Sequence, residues 1–509
     1  MKHNKRVIIL GLDGATFNVI FPLIKRGNLP NFKELIETGA YGSLRSTIPP
    51  LSSSAWASFM TGMNPGNHGV YDFILKKPNS YDTMFLNGSL VRASPFWEII
   101  GREGKKVVIQ NVMGTYPPKP VNGYLITGFL SPPGKPYTYP LDFRFELEEK
   151  FGEYPRAPGT SVQPGREKEY VEKIYENMEK RKKITDYLMS NKEWDLFVVV
   201  FEETDVLQHA FWKYFTGETE DKKLDFLKDV IPNIYKKFDN YLGGLLQKVD
   251  EDTALIVLSD HGFGNLKKVV FINNILLEMN MLKLQRNPRT QLKKFCLRHH
   301  LNVETLLKIG EKIGFKIKGA AIEAKREQAI ANKLFLSKDD IDWKRTKAFS
   351  IGVGGHIFIN LKEKEPEGMV SKDEYEEIID HIVTKLQELR DPETNEKIIE
   401  KVYRKEEIYK GKLLDYMPDL SILPKEGYFT LYKEHFISPS FLMKSSVSGS
   451  HTLYGVFMMK GCGVEGGTKV SNIAIWDVPA IVLKIFSIDG RYIDGKIDGK
   501  MPKELSIKG

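Results

Sequence analysis

The chain has 509 residues, 41% hydrophobic and 28% charged, a balance that excludes disorder, collagen and a disulfide-stapled miniprotein. Its length predicts about two or three structural units, and 74 Lys and Arg against 66 Asp and Glu leave a mild net charge of +8. Cys296 and Cys462 are too few for a disulfide framework or a cysteine zinc site.

The opening MKHNKRVIILGLDGA mimics a signal peptide only briefly. Its apolar stretch is short and Asp13 interrupts it, so a buried strand over 7–12 and a cytoplasmic location are expected. A helix at 31–39 stops at Gly39, another at 95–104 stops at Gly104, and a strand at 105–112 follows. The helical run 167–191 leads into the apolar strand 195–201, and a helix near 229–249 leads into the strand 253–260. These strands are continuously apolar, which predicts a parallel sheet covered on both faces.

From 283 to 335 the alternation lapses into a basic stretch with 13 Lys/Arg against 4 Asp/Glu, 13 − 4 = +9, so the remainder is near neutral. That surplus suits an anionic substrate, a nucleic acid or an acidic membrane surface, and equally a solvated helical face. Strand patterns return at 348–360, 418–424 and 454–460, with helices at 371–391 and 477–487. The expected organisation is a core from 1–282, a basic helical insertion or lid over 283–344, and a second core part over 345–509 with a small α/β elaboration near 361–417. The apolar runs fall short of the about 18 residues a membrane-spanning helix needs.

Working residues of such sheets lie beyond the carboxyl ends of strands. Asp13 follows the first strand, Asp260 and His261 follow another, and Asp205 and His209 stand one helical turn apart after a third. His451 lies in SGSHTLYG before the last strand. Oxygen and nitrogen donors of this kind suit two divalent metals, most naturally Zn²⁺, with Mn²⁺ or Co²⁺ as alternatives. The segment 47–69 adds Ser52, Ser53 and Ser54 at an expected helix start, where phosphate is favoured and where serines also serve as ordinary caps. His68, Asn111 and His356 stay outside the expected site, and the aromatic run 209–215 is expected to pack beneath it.

In the order LGLDGAT, PPLSSSAWASFMTGMNPGNHGVYDF, FEETDVLQHAFW, LSDHGFG and SGSHTLYG, the chain resembles the type I phosphodiesterase/nucleotide pyrophosphatase branch of the alkaline phosphatase superfamily. The resemblance implies a three-layer α/β/α sandwich with a mostly parallel sheet. It implies that Asp13, Ser52, Asp260 and His261 hold one metal and that Asp205, His209 and His451 hold the other. Relatives carry the nucleophile nine residues before the Thr of a Thr-Gly pair, which from Thr61 gives Ser52; many have proline where this chain has Ser54. The implied activity is metal-dependent hydrolysis of phosphodiester or pyrophosphate bonds through a phospho-Ser52 intermediate. Two metals about 3.5–4 Å apart would clamp the phosphoryl group.

Within the superfamily, a sulfatase would need a C/S-x-P-x-R pattern, and a typical alkaline phosphatase an Asp-Ser-Ala; both are absent. A monoesterase, or a phosphotransferase passing its group to an alcohol, are the alternatives. The expected partner is a small phosphate ester; a nucleic acid is not expected, and peripheral membrane contact through 283–335 would accompany the transferase reading. GCGVEG at 461–466 fits a dinucleotide fingerprint in letters, but no helix pattern follows it, so a glycine-rich turn near the active face is expected instead.

Overall fold

The first apolar run forms the strand Arg6–Leu12, with cover on both faces. Ile8, Leu10 and Leu12 enter one core cluster, while Val7 and Ile9 enter another. The same alternation separates Phe197, Val199 and Phe201 from Val198 and Val200. In this computed structural model, residues 5–156, 159–160, 162–218, 222–299, 336–431, 436, 438–489, 491–492 and 495–507 are described. Most of the basic stretch, 300–335, lies outside them; before it, Pro288–Arg298 is a helix.

The central sheet runs, edge to edge, Thr468–Lys469, Ala40–Arg45, Tyr454–Lys460, Thr253–Leu258, Arg6–Leu12, Leu196–Phe201, Val107–Val112, Gly123–Thr127 and Thr138–Tyr139. Thr253–Leu258 through Gly123–Thr127 are parallel neighbours. One face is covered by helices that include Glu167–Asn191, Glu203–Phe215 and Val230–Leu246; the other by helices that include Ser52–Thr61, Phe96–Arg102 and Val478–Ile485. The result is the three-layer α/β/α sandwich with a mostly parallel sheet. Register decides where its chemistry sits: Leu12 pairs with Phe201 and Gly11 with Leu258, so the segments after these strands leave the sheet side by side.

Tyr454–Lys460 runs antiparallel to both neighbours. The residues before it therefore reach the carboxyl edge of the parallel strands, and the residues after it reach the opposite edge. This corrects the placement of the GCGVEG turn. It does not lie near the active face, because Gly461 packs on the Thr253 carbonyl and the Cys462 N–H donates to Asp250 O, 3.3 Å away, where the neighbouring strand begins.

The strand patterns at 348–360 and 418–424 stay out of this sheet. The first is a hairpin, Ala348–Ser350 and His356–Ile359. It joins Leu420–Pro424 and Ile399–Arg404 in a separate antiparallel sheet whose apolar cluster includes Ile378, Ile379, Ile382 and Leu386 of the helix Lys372–Gln387. A third sheet is built on Gly262–Val270, which pairs with Gly427–Thr430, Leu442–Lys444 and Gly449–Thr452. Among the described residues no helix is long and apolar enough to cross a membrane.

Candidate active site

Leu51 ends an extended segment, and the helix Ser52–Thr61 begins at the serine triplet. The triplet divides by direction. Ser54 Oγ bonds the Leu51 carbonyl at 3.2 Å and Thr47 Oγ1 at 2.6 Å, turning away from the sheet edge. Ser53 Oγ is buried and has no hydrogen-bond partner among the described residues. Ser52 Oγ lies 3.0 Å from His261 Nε2.

Around that contact the structure brings Asp13, Asp260 and His261 together, all buried, with ligand-type atoms within 4.8 Å of one another. His261 Nε2 is 3.3 Å from Asp260 Oδ2 and 3.6 Å from Asp13 Oδ1. A second group joins Asp205, His209 and His451, each half-buried. Asp205 Oδ1 is 3.4 Å from His209 Nε2 and 3.3 Å from His451 Nε2. The two groups meet where the rings of His261 and His451 stack, centroids 3.6 Å apart.

Backbone carbonyls fix the tautomers. Nδ1 of His209 faces Gly449 O at 2.8 Å, that of His261 faces Gly262 O at 3.0 Å, and that of His451 faces Pro50 O at 2.9 Å. A carbonyl only accepts, so each Nδ1 carries a proton and each Nε2 faces the site. The Nε2 atoms of His209 and His451 stand 3.0 Å apart. At that distance the two atoms can share one proton or, with both deprotonated, one metal cation. Asp13 Oδ1, Asp205 Oδ1 and Asp260 Oδ2 are buried without a hydrogen-bond partner among the described residues, an expensive arrangement unless a cation accepts them.

Burial, and then the charges of Asp260 and Asp205, hold the Asp13 carboxyl well above the usual range. Burial pushes Asp260 up to about 7. Burial also opposes the Asp205 charge, yet His209 and His451 outweigh it and hold Asp205 well below the usual range. Burial, and then His451, depress His261. Three crowded carboxylates and three imidazole Nε2 atoms facing one site make an oxygen and nitrogen donor set that fits divalent cations.

The residues kept outside the expected site are engaged elsewhere. His68 contacts Ser58 Oγ, His356 contacts Ser421 Oγ and Tyr71 O, and Asn111 donates its amide to Val200 O. Trp212 packs on Phe263, whose ring also touches His209 and His451. Sequence reasoning missed Trp56, whose indole N–H holds Asp13 Oδ2 at 2.9 Å. Its spacing of four from Ser52 on one helix was the available signal.

The three-layer sandwich thus carries two Asp/His groups and a hydroxyl at a helix start along the carboxyl edge of its sheet. Two solved structures show the fold. The murine ectonucleotide pyrophosphatase/phosphodiesterase 5, as an inactive variant in complex with AMP, is 14% identical with a TM-score of 0.52 over 97% of both chains. Phosphonoacetate hydrolase from Sinorhizobium meliloti 1021, in complex with phosphonoacetate, is 13% identical with a TM-score of 0.56 over 95% of this chain and 96% of its own. No curated protein matches by sequence. Residues 7–437 match the family model for type I phosphodiesterase/nucleotide pyrophosphatase, and the chain belongs to that family of enzymes.

Proposed function

We propose that the protein is a metal-dependent hydrolase of phosphodiester or pyrophosphate bonds, with Ser52 as nucleophile. Asp13, Ser52, Asp260 and His261 would hold one divalent cation, and Asp205, His209 and His451 a second, most naturally Zn²⁺. The observation that carries this reading is the Ser52 hydroxyl beside His261, ringed by buried carboxylate oxygens that lack hydrogen-bond partners among the described residues. When bound, the cations would supply Lewis-acid stabilisation of phosphoryl charge and ease ionisation of a nearby hydroxyl.

The chain's own part follows from geometry. Ser52 sits in the first turn of its helix, where backbone N–H groups lack intrahelical acceptors and favour a phosphoryl oxygen. Ser52 Oγ would lose its proton and bond phosphorus as the bond to the leaving oxygen breaks and that oxygen takes up a proton, giving a Ser52 phosphoryl ester that keeps the remaining substituent; water would then cleave the Ser52–phosphorus ester, releasing the substituted phosphate and returning the hydroxyl. The fold neighbours bound to AMP and phosphonoacetate support a small phosphate- or phosphonate-bearing substrate.

The test is hydrolysis of a chromogenic phosphodiester beside its monoester, with Zn²⁺, Mn²⁺ or chelator, for wild type and Ser52→Ala. Metal-dependent preference for the diester, lost in Ser52→Ala while metal is retained, is expected. Full activity in Ser52→Ala would refute the nucleophile. Preference for the monoester would overturn the diesterase reading. Turnover of neither ester by metal-loaded protein would point to transfer onto an alcohol.

A further inference from the structure

The two Asp/His groups sit on different elements. Asp13 belongs to the turn after the first strand, whereas Asp205 and His209 belong to the helix Glu203–Phe215. The residue just before each of these helical candidates ties the helix to that turn. Thr204 Oγ1 donates to the Asp13 carbonyl at 2.5 Å, and Gln208 Nε2 donates to the Gly14 carbonyl at 2.8 Å. Gln208 Oε1 in turn accepts from the Tyr235 hydroxyl at 3.0 Å, and Tyr235 Oη accepts from the Thr16 N–H at 3.1 Å.

Thr204 and Gln208 are four apart, so they share a helix face, as Asp205 and His209 share the next. Thr204, Gln208 and Tyr235 are each 0% exposed, so no water competes for these bonds. Gly14 lets the turn come close. Its φ is +67°, and a Cβ there would lie 3.2 Å from Asp205 Oδ1.

We propose that Thr204 and Gln208 are positioning residues that set the spacing between the two cation groups. The inference rests on the two-cation reading above. Neither side chain is among the residues assigned to hold a cation; each acts by fixing the ligand-bearing turn against the ligand-bearing helix.

Mn²⁺ alone serves as the probe, in the full chain. Wild type is expected to bind two ions with an exchange-coupled signal in electron paramagnetic resonance. Thr204→Val, alike in shape but without the donor, and Gln208→Met should still bind two ions, with weaker coupling. For a chromogenic diester their kcat should fall by on the order of tenfold to a hundredfold, the penalty of a misplacement of about 1 Å, with KM nearly unchanged. Thr204→Ser keeps the hydroxyl and should restore both coupling and kcat. If Gln208→Met fails to fold, the Thr204→Val and Thr204→Ser pair decides the matter. Two bound ions that are uncoupled in wild type, or coupled as in wild type in the variants, overturn the spacer alone. A single ion in wild type overturns the two-cation reading and the spacer with it.

Discussion

Replacing Arg181 by methionine should cost the protein about 3–5 kcal/mol, the usual penalty for stripping one partner from a buried ion pair. Arg181 lies inside the helix Glu167–Asn191 and is fully buried. Its guanidinium donates to Glu202 Oε1 at 2.7 Å, to Glu203 Oε1 at 3.2 Å and to Tyr154 Oη at 3.1 Å. Burial works against its charge, but Glu203, Tyr154 and Glu202 outweigh burial and raise its pKa above the ordinary value. Without Arg181, two carboxylates stay inside, and Glu203 Oε2 already has no hydrogen-bond partner among the described residues. Against a total stability of about 5–15 kcal/mol, the loss is large. Urea unfolding near neutral pH, followed by tryptophan fluorescence, measures it. The triple variant Arg181→Met/Glu202→Met/Glu203→Met should recover most of the loss, since replacing a buried ion group by apolar residues of similar volume is often close to neutral. A loss below about 1 kcal/mol for Arg181→Met, the size of an exposed pair, would refute the reasoning.

His451→Ala removes one imidazole from the Asp205 group; it should retain one bound Zn²⁺ where wild type retains two, counted per chain after dialysis, and undiminished stoichiometry would exclude His451 as a ligand. Metal at about a hundred times its Kd should stabilise wild type by about 2.7 kcal/mol per site, seen as a rise in melting temperature that chelator reverses; no shift would sink the cation reading. Acid should act through His68, which is neutral in the fold: Val70 N–H donates to Nδ1, the ring donates from Nε2 to Ser58 Oγ, and burial pushes its pKa down to about 3. A base whose folded pKa is depressed keeps its stability above the unfolded value of about 6.5 and loses it as pH falls toward the folded one, at about 1.4 kcal/mol per pH unit. His68→Gln should lack that increment of slope in urea midpoints taken between about pH 6.5 and pH 5; equal slopes would rule out His68 as its source.

Much of the site could be read along the chain because its parts are local. Asp13 and the Asp260–His261 pair each follow an apolar run, and Asp205 and His209 keep helical spacing. Ser52 was harder to separate from Ser53 and Ser54, since three successive residues point about 100° apart on a helix, and only the tertiary position of His261 shows which one faces the edge. Thr204, Gln208 and Arg181 carry no local sign at all: the partner of Thr204 is 191 residues away and that of Gln208 is 194 away. The strand patterns at 348–360 and 418–424 were legible as strands but not as members of a second sheet, because pairing partners are set by non-local register. The direction of Tyr454–Lys460 is the sharpest case. Its hydropathy is the same read either way, yet its antiparallel course delivers His451, which precedes it, to the edge where Asp13 and Asp260 emerge. The same reversal sends the glycine-rich turn, which follows it, to the far edge beside Thr253. One unreadable strand direction thus accounts both for a histidine that reaches the site from the segment before that strand and for a turn that was expected near the site and lies at the opposite edge of the sheet.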